Sequence, residues 1–430
     1  MQNTVCKILS LLLRNFCRAR AISVLTNTAL LYYTYVVYGG KMTDGRYKIA
    51  IIGGGSAGMY LAAMLASCGR GTEVVLIESG ARLGRKLAVT GNGQGNVSNV
   101  NLDCKKYFTS NSAEHSALIN DIIGQPFSLL KLFDGLFTAD GRGRIYPAGK
   151  QANALVDCLR RKIEDGGVSV RLNSKAVSVS SGFAIKPDSG KIITADKVVI
   201  AAGGKAGKQF GTDGTAYSLA TALGHTVTPL FPALVQLKTD TSRIKTLKGL
   251  RAPCNITATA GGNTLGQADG EIIFADYGVT GSAVFAVSSF ITDEKDITLH
   301  IEFAPELSEK QIKEDIERNI SRGCAGTEIF GCTVPKQLAR VIVGNSGNIT
   351  PKEAAARVKR FTLPVCGNLG FDNAQVTRGG IPLSELTQNL ESKLQKNLFI
   401  IGEMLDVTGE CGGYNLHWAF SSATRVFGKL

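Results

Sequence analysis

Three glycines and one acid carry the first chemistry legible in the chain. Gly53, Gly55 and Gly58 form G-x-G-x-x-G in the run K-I-A-I-I-G-G-G-S-A-G-M, and Glu78 follows about twenty residues later. The first glycine permits a tight turn, the second lets a pyrophosphate touch backbone, and the third lets a helix lie close on its strand. Phosphate is favoured where the unpaired amides of a helix N-terminus point. A carboxylate at Glu78 can accept hydrogen bonds from both hydroxyls of a ribose and would repel a 2′-phosphate, so the pattern predicts the adenosine half of FAD or NAD rather than NADP. Ala57 lies inside the same turn.

Further polar groups cluster in two places. After Glu78 the loop S-G-A-R-L-G-R-K-L-A-V-T-G-N-G-Q-G-N-V-S-N carries Arg82, Arg85 and Lys86, then Asn92, Asn96 and Asn99 among glycines, a set suited to phosphates and to the polar edge of a flavin ring. Near the C-terminus, E-M-L-D-V-T-G-E-C-G-G-Y-N-L-H-W-A-F-S-S-A places Gly412-Gly413 at the head of an apolar helix, a second N-terminus with free amides. Beside a flavin it would stabilise negative charge on the reduced ring, with Asp406 placed to hold a ribityl hydroxyl. Tyr414, His417 and Cys411 are the candidate polar groups near the reacting ring, Cys411 lacking an evident basic neighbour to lower its pKa. The four histidines, His115, His225, His300 and His417, are scattered and predict no metal site.

The elements that must position these groups are readable from apolar runs. Ile49–Ile52 and Glu73–Ile77 read as strands buried on both faces, joined by a helix from Gly58 to Cys68. Residues 113–165 read as helices around a turn at G-R-G-R-I-Y-P-A-G-K, with Gln151–Glu164 amphipathic. Val168–Val179 and Phe183–Ile193 read as strands of a small sheet, and Lys197–Ala201 as a buried strand ending in Ala202-Gly203-Gly204, where backbone can approach a nucleotide from the opposite side. Val227–Phe303 alternates turns with short apolar runs, which predicts a β-rich insertion. Pro305–Arg360 reads as helical, with starts at Ser308 and Thr350-Pro351. Leu363–Val376 and Asn397–Gly402 read as strands. The resulting plan is an FAD-binding part over 47–228, a β-barrel-like insertion over 229–303, a helical insertion over 304–360 and a return to the first part over 361–430.

At 430 residues, with 50 glycines and 44% hydrophobic residues, the chain suits more than one compact unit with many tight turns around a ligand. Ten cysteines show no C-x-x-C or paired spacing, which argues against zinc, iron–sulfur clusters and redox disulfides and favours a reducing, cytoplasmic setting. The net charge is +13; residues 1–43 carry five of these charges with no acid, leaving +8 elsewhere. No basic run interleaved with aromatics stands out, so a basic surface that attracts an anionic cofactor or substrate is expected rather than nucleic acid. Residues 1–46 precede the first strand and contain the uncharged run Ala21–Tyr38. Three readings stand: a membrane anchor, a targeting segment, or translated upstream sequence ahead of a start at Met42, the last being favoured.

The runs R-K-L-A-V-T-G-N-G-Q-G-N-V-S-N, A-A-G-G after a strand, V-T-R-G-G-I, and G-E-M-L-D-V-T-G-E-C-G-G-Y-N-L-H-W-A-F-S-S resemble the FAD-binding flavoproteins related to aminoacetone oxidase and the bacterial bile-acid (BaiN-type) reductase. The resemblance implies an α/β fold: a Rossmann-like FAD-binding domain of the two-dinucleotide-binding flavoprotein superfamily, split by an inserted β-barrel with a helical piece. It implies FAD contacts at Gly53, Gly55, Ala57, Gly58, Glu78, Arg85, Lys86, Asn92, Asn96, Gly203, Asp406, Gly413, Asn415 and Leu416, to which Val177 is added from the strand at Val168–Val179. The chain departs from the family at Gly93-Gln94-Gly95-Asn96, usually G-x-G-R-C-N, and at His417, usually glutamine. The expected function is hydride transfer between flavin and a small organic substrate of the amine, aminoketone or enone class. NAD(P)H would bind transiently, or O2 would serve as second partner. The alternative is a tRNA-modifying or RNA-associated flavoprotein.

Overall fold

The computed structural model describes residues 45–344 and 349–430, so the expectations for the N-terminal segment up to residue 44 lie outside the described residues. The sheet nearest the candidate site contains β1 (Arg46–Ile52), β2 (Val74–Ile77), β3 (Ser169–Arg171), β4 (Ala176–Val179), β5 (Ala184–Pro187) and β6 (Ile193–Ile200), in the order β3-β2-β1-β6-β5-β4. β1 runs parallel to β2 and β6, and β2 parallel to β3. The strands expected to form a separate small sheet therefore extend this one. β6 is shared along its length: its first residues pair with β5, and its last three pair with a late strand described below. Every residue of β2 is buried, as its continuous V-V-L-I run requires of a strand covered on both faces.

Helix α1 (Ser56–Ser67) follows β1 directly. Nine of its residues are buried, among them Ala57, Gly58, Ala62, Ala63 and Ala66, so it is a core helix without a solvent stripe. Its small residues let it approach neighbours closely; a Cβ on Gly58 would stand 1.9 Å from the Gly53 carbonyl oxygen. Helix α2 (Ser112–Ile123) and the amphipathic α3 (Ala152–Asp165) flank the same core, α3 burying Leu155, Leu159 and Ile163 as its spacing predicts. The G-R-G-R-I-Y-P stretch is not a turn between helices. Phe137–Ala139 and Arg144–Pro147 pair as a β-ribbon, and Ser98–Asn99 adds a third short strand.

A closed barrel supplies the second core. Its strands are β7 (Leu237–Thr239), β8 (Arg251–Ala260), β9 (Asn263–Ala275), β10 (Gly278–Thr280), β11 (Ile297–Phe303) and β12 (Phe361–Asn368), in the order β7-β10-β9-β8-β11-β12. Alternation sends Ala252, Cys254, Ile256 and Ala258 of β8 inward, and Ile297, Leu299, Ile301 and Phe303 of β11 likewise. The region also contains a short helix, α4 (Ser282–Ser288), that the β-rich pattern concealed. Helices α5 (Glu309–Ser321), α6 (Lys336–Val343) and α7 (Pro351–Lys359) lie between β11 and β12 in sequence and share the barrel's apolar cluster. Capping boxes at Ser308–Gln311 and Thr350–Glu353 start α5 and α7. Because β12 pairs with β11 and β7, it closes the barrel; the chain returns to the first sheet after Asn368, not at residue 361. The return strand β13 (Leu398–Ile400) lies parallel to β6, and α8 (Tyr414–Phe427) completes the fold.

The Gly58 contact yields a direct test. Gly58→Ala is expected to destabilise the protein by about 1–3 kcal/mol through overpacking, read as a lower urea midpoint with an unchanged slope.

Candidate active site

A cleft of about 880 Å³ lies outside the carboxyl ends of β1 and β6, where open α/β sheets bind ligands. Gly53, Gly55, Ser56 and Ala57 line one part of it and Gly412, Gly413, Asn415 and Leu416 another, so the two glycine-led helices face one space. Each predicted glycine role has a geometric counterpart. Gly53 holds a φ of +110°, and a Cβ there would meet the Ala201 carbonyl oxygen at 2.4 Å. Gly58 seats α1 on the turn as described above. A Cβ on Gly55 would meet no atom within 4 Å, so this backbone faces open space that a ligand can occupy.

Glu78 stands at the end of β2 and is aimed by backbone. Its Oε2 accepts from Gly54 N at 2.7 Å and its Oε1 from Gly80 N at 2.6 Å. Oε1 also accepts from the Ser79 hydroxyl at 3.2 Å, so Oε2 is the oxygen that keeps further acceptor capacity. Arg85 donates from Nη2 to the Gln209 carbonyl at 2.5 Å, bridging the loop to the segment after β6. Lys86, largely buried, donates from Nζ to the Glu403 carboxylate at 2.7 Å and to the Ala206 carbonyl at 3.1 Å. Glu403 in turn accepts from Thr377 N at 2.9 Å, while Thr377 Oγ1 accepts from the amides of Lys205 and Ala206 at 2.7 and 2.8 Å. Three distant stretches, 86, 203–206 and 377–403, are thereby locked into one wall, with Gly203 at a φ of +76° on its face.

Asn92 lines the cleft in a left-handed conformation, φ +56°. Asn96 also lines it, but its amide bonds to protein: Nδ2 donates to the carbonyls of Ser98 and Ile145 at 3.0 and 3.2 Å, and Oδ1 accepts from Gly413 N at 3.0 Å. Asn415 behaves alike, clasping Gly409 through its N–H at 2.8 Å and its carbonyl at 2.7 Å. These two side chains hold the second helix terminus in place and leave its backbone to face the cleft.

Several expected site residues do not reach the cleft. Asp406 is buried away from it, its Oδ2 accepting from Ser110 N at 2.9 Å and from the Ser110 hydroxyl; the acids of this stretch that line the cleft are Glu403, in the turn after β13, and Glu410. Tyr414 is turned into the core, its hydroxyl donating to the Asn101 carbonyl at 3.2 Å, and burial pushes its pKa up to about 12. His417 is fully buried, its Nε2 donating to the Ile123 carbonyl at 2.6 Å and its Nδ1 accepting from Ser98 Oγ at 2.9 Å. It caps the end of α2, and burial lowers its pKa to about 4. Of the three candidate catalytic groups, Cys411 alone lines the cleft, and burial pushes its thiol up, so it stays protonated. Val177 points outward, about half exposed, while Lys175 and Ala176 beside it line the cleft.

Other lining residues escaped the sequence patterns. Arg144 and Tyr146 come from the β-ribbon, and Leu234, Phe285 and Val376 from segments flanking the barrel. The V-T-R-G-G-I run marked the vicinity of Val376 and Thr377, but nothing local marked the others.

A second constellation imitates a hydrolase: His225 Nδ1 lies 2.7 Å from Glu385 and Nε2 lies 2.8 Å from Ser392 Oγ. Ser392 is buried and already accepts from the amides of Leu394 and Gln395, and none of the three residues lines the cleft, so the cluster ties the 385–395 loop to the core. Among the described residues no group of three or more His, Cys, Asp or Glu side chains is disposed to hold a metal ion, and no helix is long and apolar enough to cross a membrane.

Residues 47–429 match the family model described as the HI0933-like protein Rossmann domain. The chain is 32% identical over 400 residues to the 3-dehydro-bile acid delta(4,6)-reductase of Clostridium scindens, covering 87% of this chain and 97% of that one. It is 28% identical to the ribosomal RNA dihydrouridine synthase of Escherichia coli over 88% of this chain and 96% of the relative. Among solved structures, the 3-ketosteroid-delta4-(5alpha)-dehydrogenase of Rhodococcus jostii superposes with a TM-score of 0.47 at 14% identity, over 90% of this chain and 97% of that one.

The His417 site predicts a pH dependence of stability. The unfolded chain takes up a proton near the ordinary histidine pKa, whereas the folded chain resists it down to about 4, so stability is lost as pH falls through this window. Between pH 7.5 and 5 this residue should cost about 2 kcal/mol, and His417→Gln should remove that part of the decline in urea midpoints.

Proposed function

This chain belongs to the HI0933-like Rossmann-domain family and is a flavin-dependent oxidoreductase; from that footing we propose that the cleft holds FAD and serves hydride exchange with a small organic substrate. The observation that carries the reading is the convergence of two glycine-led helix termini and one ribose-competent acid on a single cleft. The residues suit the cofactor chemically. Gly55 leaves the open approach that a pyrophosphate needs, Glu78 Oε2 keeps acceptor capacity for a ribose hydroxyl, and the first-turn amides of α1 favour phosphate. Arg82 and Arg85 add positive charge on the same side.

Bound there, a flavin supplies hydride acceptance and donation at its N5. The N-terminal amides of the cleft-lining Asn415 and Leu416 lack intrahelical acceptors and lie at the positive end of the α8 dipole, which favours negative charge on a reduced ring. Gly203 and Gly413, both at positive φ, let the wall close on itself: a Cβ on Gly413 would meet the Ser98 carbonyl oxygen at 2.2 Å, and one on Gly203 the Thr212 side chain at 2.7 Å. Leu234, Phe285 and Val376 form an apolar wall that excludes water from the reacting end. The protonated Cys411 thiol sits on that wall as a weak hydrogen-bond donor rather than a nucleophile.

Among amine, aminoketone and enone substrates, we favour the enone class, because the Clostridium scindens relative is a 3-dehydro-bile acid delta(4,6)-reductase. A nicotinamide would then serve as a transient hydride source. The second reading is a flavoprotein acting on RNA, favoured by the net charge of +13 and the name of the Escherichia coli relative. It predicts RNA retention that falls steeply with added salt, whereas salt-insensitive absence of RNA supports the small-molecule reading.

Purified protein should show the absorption of an oxidised flavin that bleaches anaerobically with NADH or NADPH and recovers on adding a cyclic enone. Glu78→Ala should weaken FAD retention by about tenfold or more, the loss expected for charge-assisted hydrogen bonds to a ribose. A colourless preparation that takes up no FAD would overturn the assignment.

A further inference from the structure

One corner of the cleft gathers two cations on a single aromatic ring. The guanidinium of Arg144 and the ammonium of Lys150 lie 5.9 and 5.8 Å from the centre of the same ring, Tyr146, and all three residues line the cleft. Arg144 is neutralised by Asp140 at 2.6 Å, but Lys150 makes no ion pair among the described residues. With Arg144 and Asp140 paired, the Lys150 ammonium is left as the uncompensated charge on this ring, and it attracts an anion.

The corner belongs to the α8 end of the cleft. Ile145 pairs with Ser98, Asn96 bonds to both the Ile145 carbonyl and Gly413 N, and the charge of Arg144 acts on the Cys411 thiol. Cys411 packs in turn with Leu234, Val376 and Phe285. The positive corner and the apolar wall are therefore neighbours within one lining.

Both sides are held rigidly. Lys150 adopts φ +47°, its N–H donating to the Pro147 carbonyl at 2.8 Å in the turn before α3. Leu234 adopts φ +51°, its carbonyl accepting from Gln375 N at 3.2 Å while the next amide, Val235 N, donates to Ser288 Oγ at 3.0 Å. Left-handed conformations of non-glycine residues are costly and persist where surrounding structure imposes them, commonly at ligand sites.

We propose that Lys150, with Arg144 beside it, forms an anion-recognising subsite that selects substrates bearing a carboxylate or like-charged group on an apolar body seated against Leu234, Phe285 and Val376. The inference rests on the flavin reading only in calling that molecule a substrate. A carboxylate gains a charge-assisted hydrogen bond from the ammonium, and the neutral amide of the same skeleton does not.

The test uses full-length protein, with flavin content read from its absorbance, and calorimetric titration with 2-naphthoate and 2-naphthamide, which share one apolar body. Wild type should bind the carboxylate about tenfold or more tightly than the amide. Lys150→Gln should abolish that preference while leaving flavin content unchanged, and Lys150→Arg should restore it. Equal affinities in wild type, no binding of either probe, or a preference that survives in Lys150→Gln would overturn the subsite. Loss of flavin in Lys150→Gln would also overturn it, by assigning the cation to the cofactor. If wild type itself retains no flavin, the cofactor reading fails while the two titrations still decide the subsite.

Discussion

The packing of α1 against α8 is the constraint on which the site depends. Tyr60 of α1 stacks on Phe420 of α8 with ring centroids 4.7 Å apart, and Thr424 Oγ1 reaches Met64 Sδ at 3.8 Å. The segment after β13 packs on the start of α1 as well: a Cβ on Gly402 would lie 3.0 Å from the Ala57 side chain. Trp418 secures the same junction by donating from Nε1 to the Gly402 carbonyl at 3.2 Å. Because α1 must also seat on Gly53, neither helix can slide without opening a void in a close-packed interior. Two partial positive charges that would otherwise repel are thus held side by side, and the free energy for it comes from apolar burial remote from the chemistry.

Around that frame most polar side chains act on backbone rather than on ligand. Glu78 is oriented by two amides, Asn96 and Asn415 fasten the turn before α8, and Thr377 with Glu403 gathers the strand ends into one surface. A buried donor or acceptor left unpaired is costly, so each of these bonds narrows the set of loop conformations the chain can adopt. The result is a lining in which glycine-rich backbone from both helix turns alternates with charged side chains, among them Glu78, Lys86, Arg144 and Glu403.

The barrel serves the site by its edges. Its interior is filled with Ile256, Leu299, Phe303 and Phe361, which leaves no lumen for a ligand, and its helices bury their stripes in the same cluster. What it contributes to the cleft are the segments that enter and leave it: Leu234 before β7, Phe285 on α4 and Val376 after β12. Substrate-facing residues on such connections can change without disturbing either core, which is how one cofactor-binding frame comes to accept different substrates.

The β1-turn-α1-β2 unit was legible in the chain because all its information is local: apolar run, glycine spacing, small-residue helix and terminal acid lie within about 30 residues, the reach of one βαβ unit. The second glycine turn was legible for the same reason. Which acid faces the cleft was not, since Glu403 and Asp406 lie three residues apart and only the course of β13 into the following turn decides that Glu403 joins Lys86 while Asp406 turns to Ser110. The sequence likewise presented Tyr414 and His417 as polar residues beside a cofactor turn, but a helix distributes successive residues around its axis, and the packing of α8 against the 98–123 region sends both inward. Arg144, Lys150 and Leu234 lie far apart from the motifs in sequence and meet them only through strand pairing and barrel closure. Local pattern determined where the two glycine-led turns of the cleft lie; tertiary packing alone decided which side chains line the rest of it, because that choice depends on contacts between segments with no periodic signal linking them.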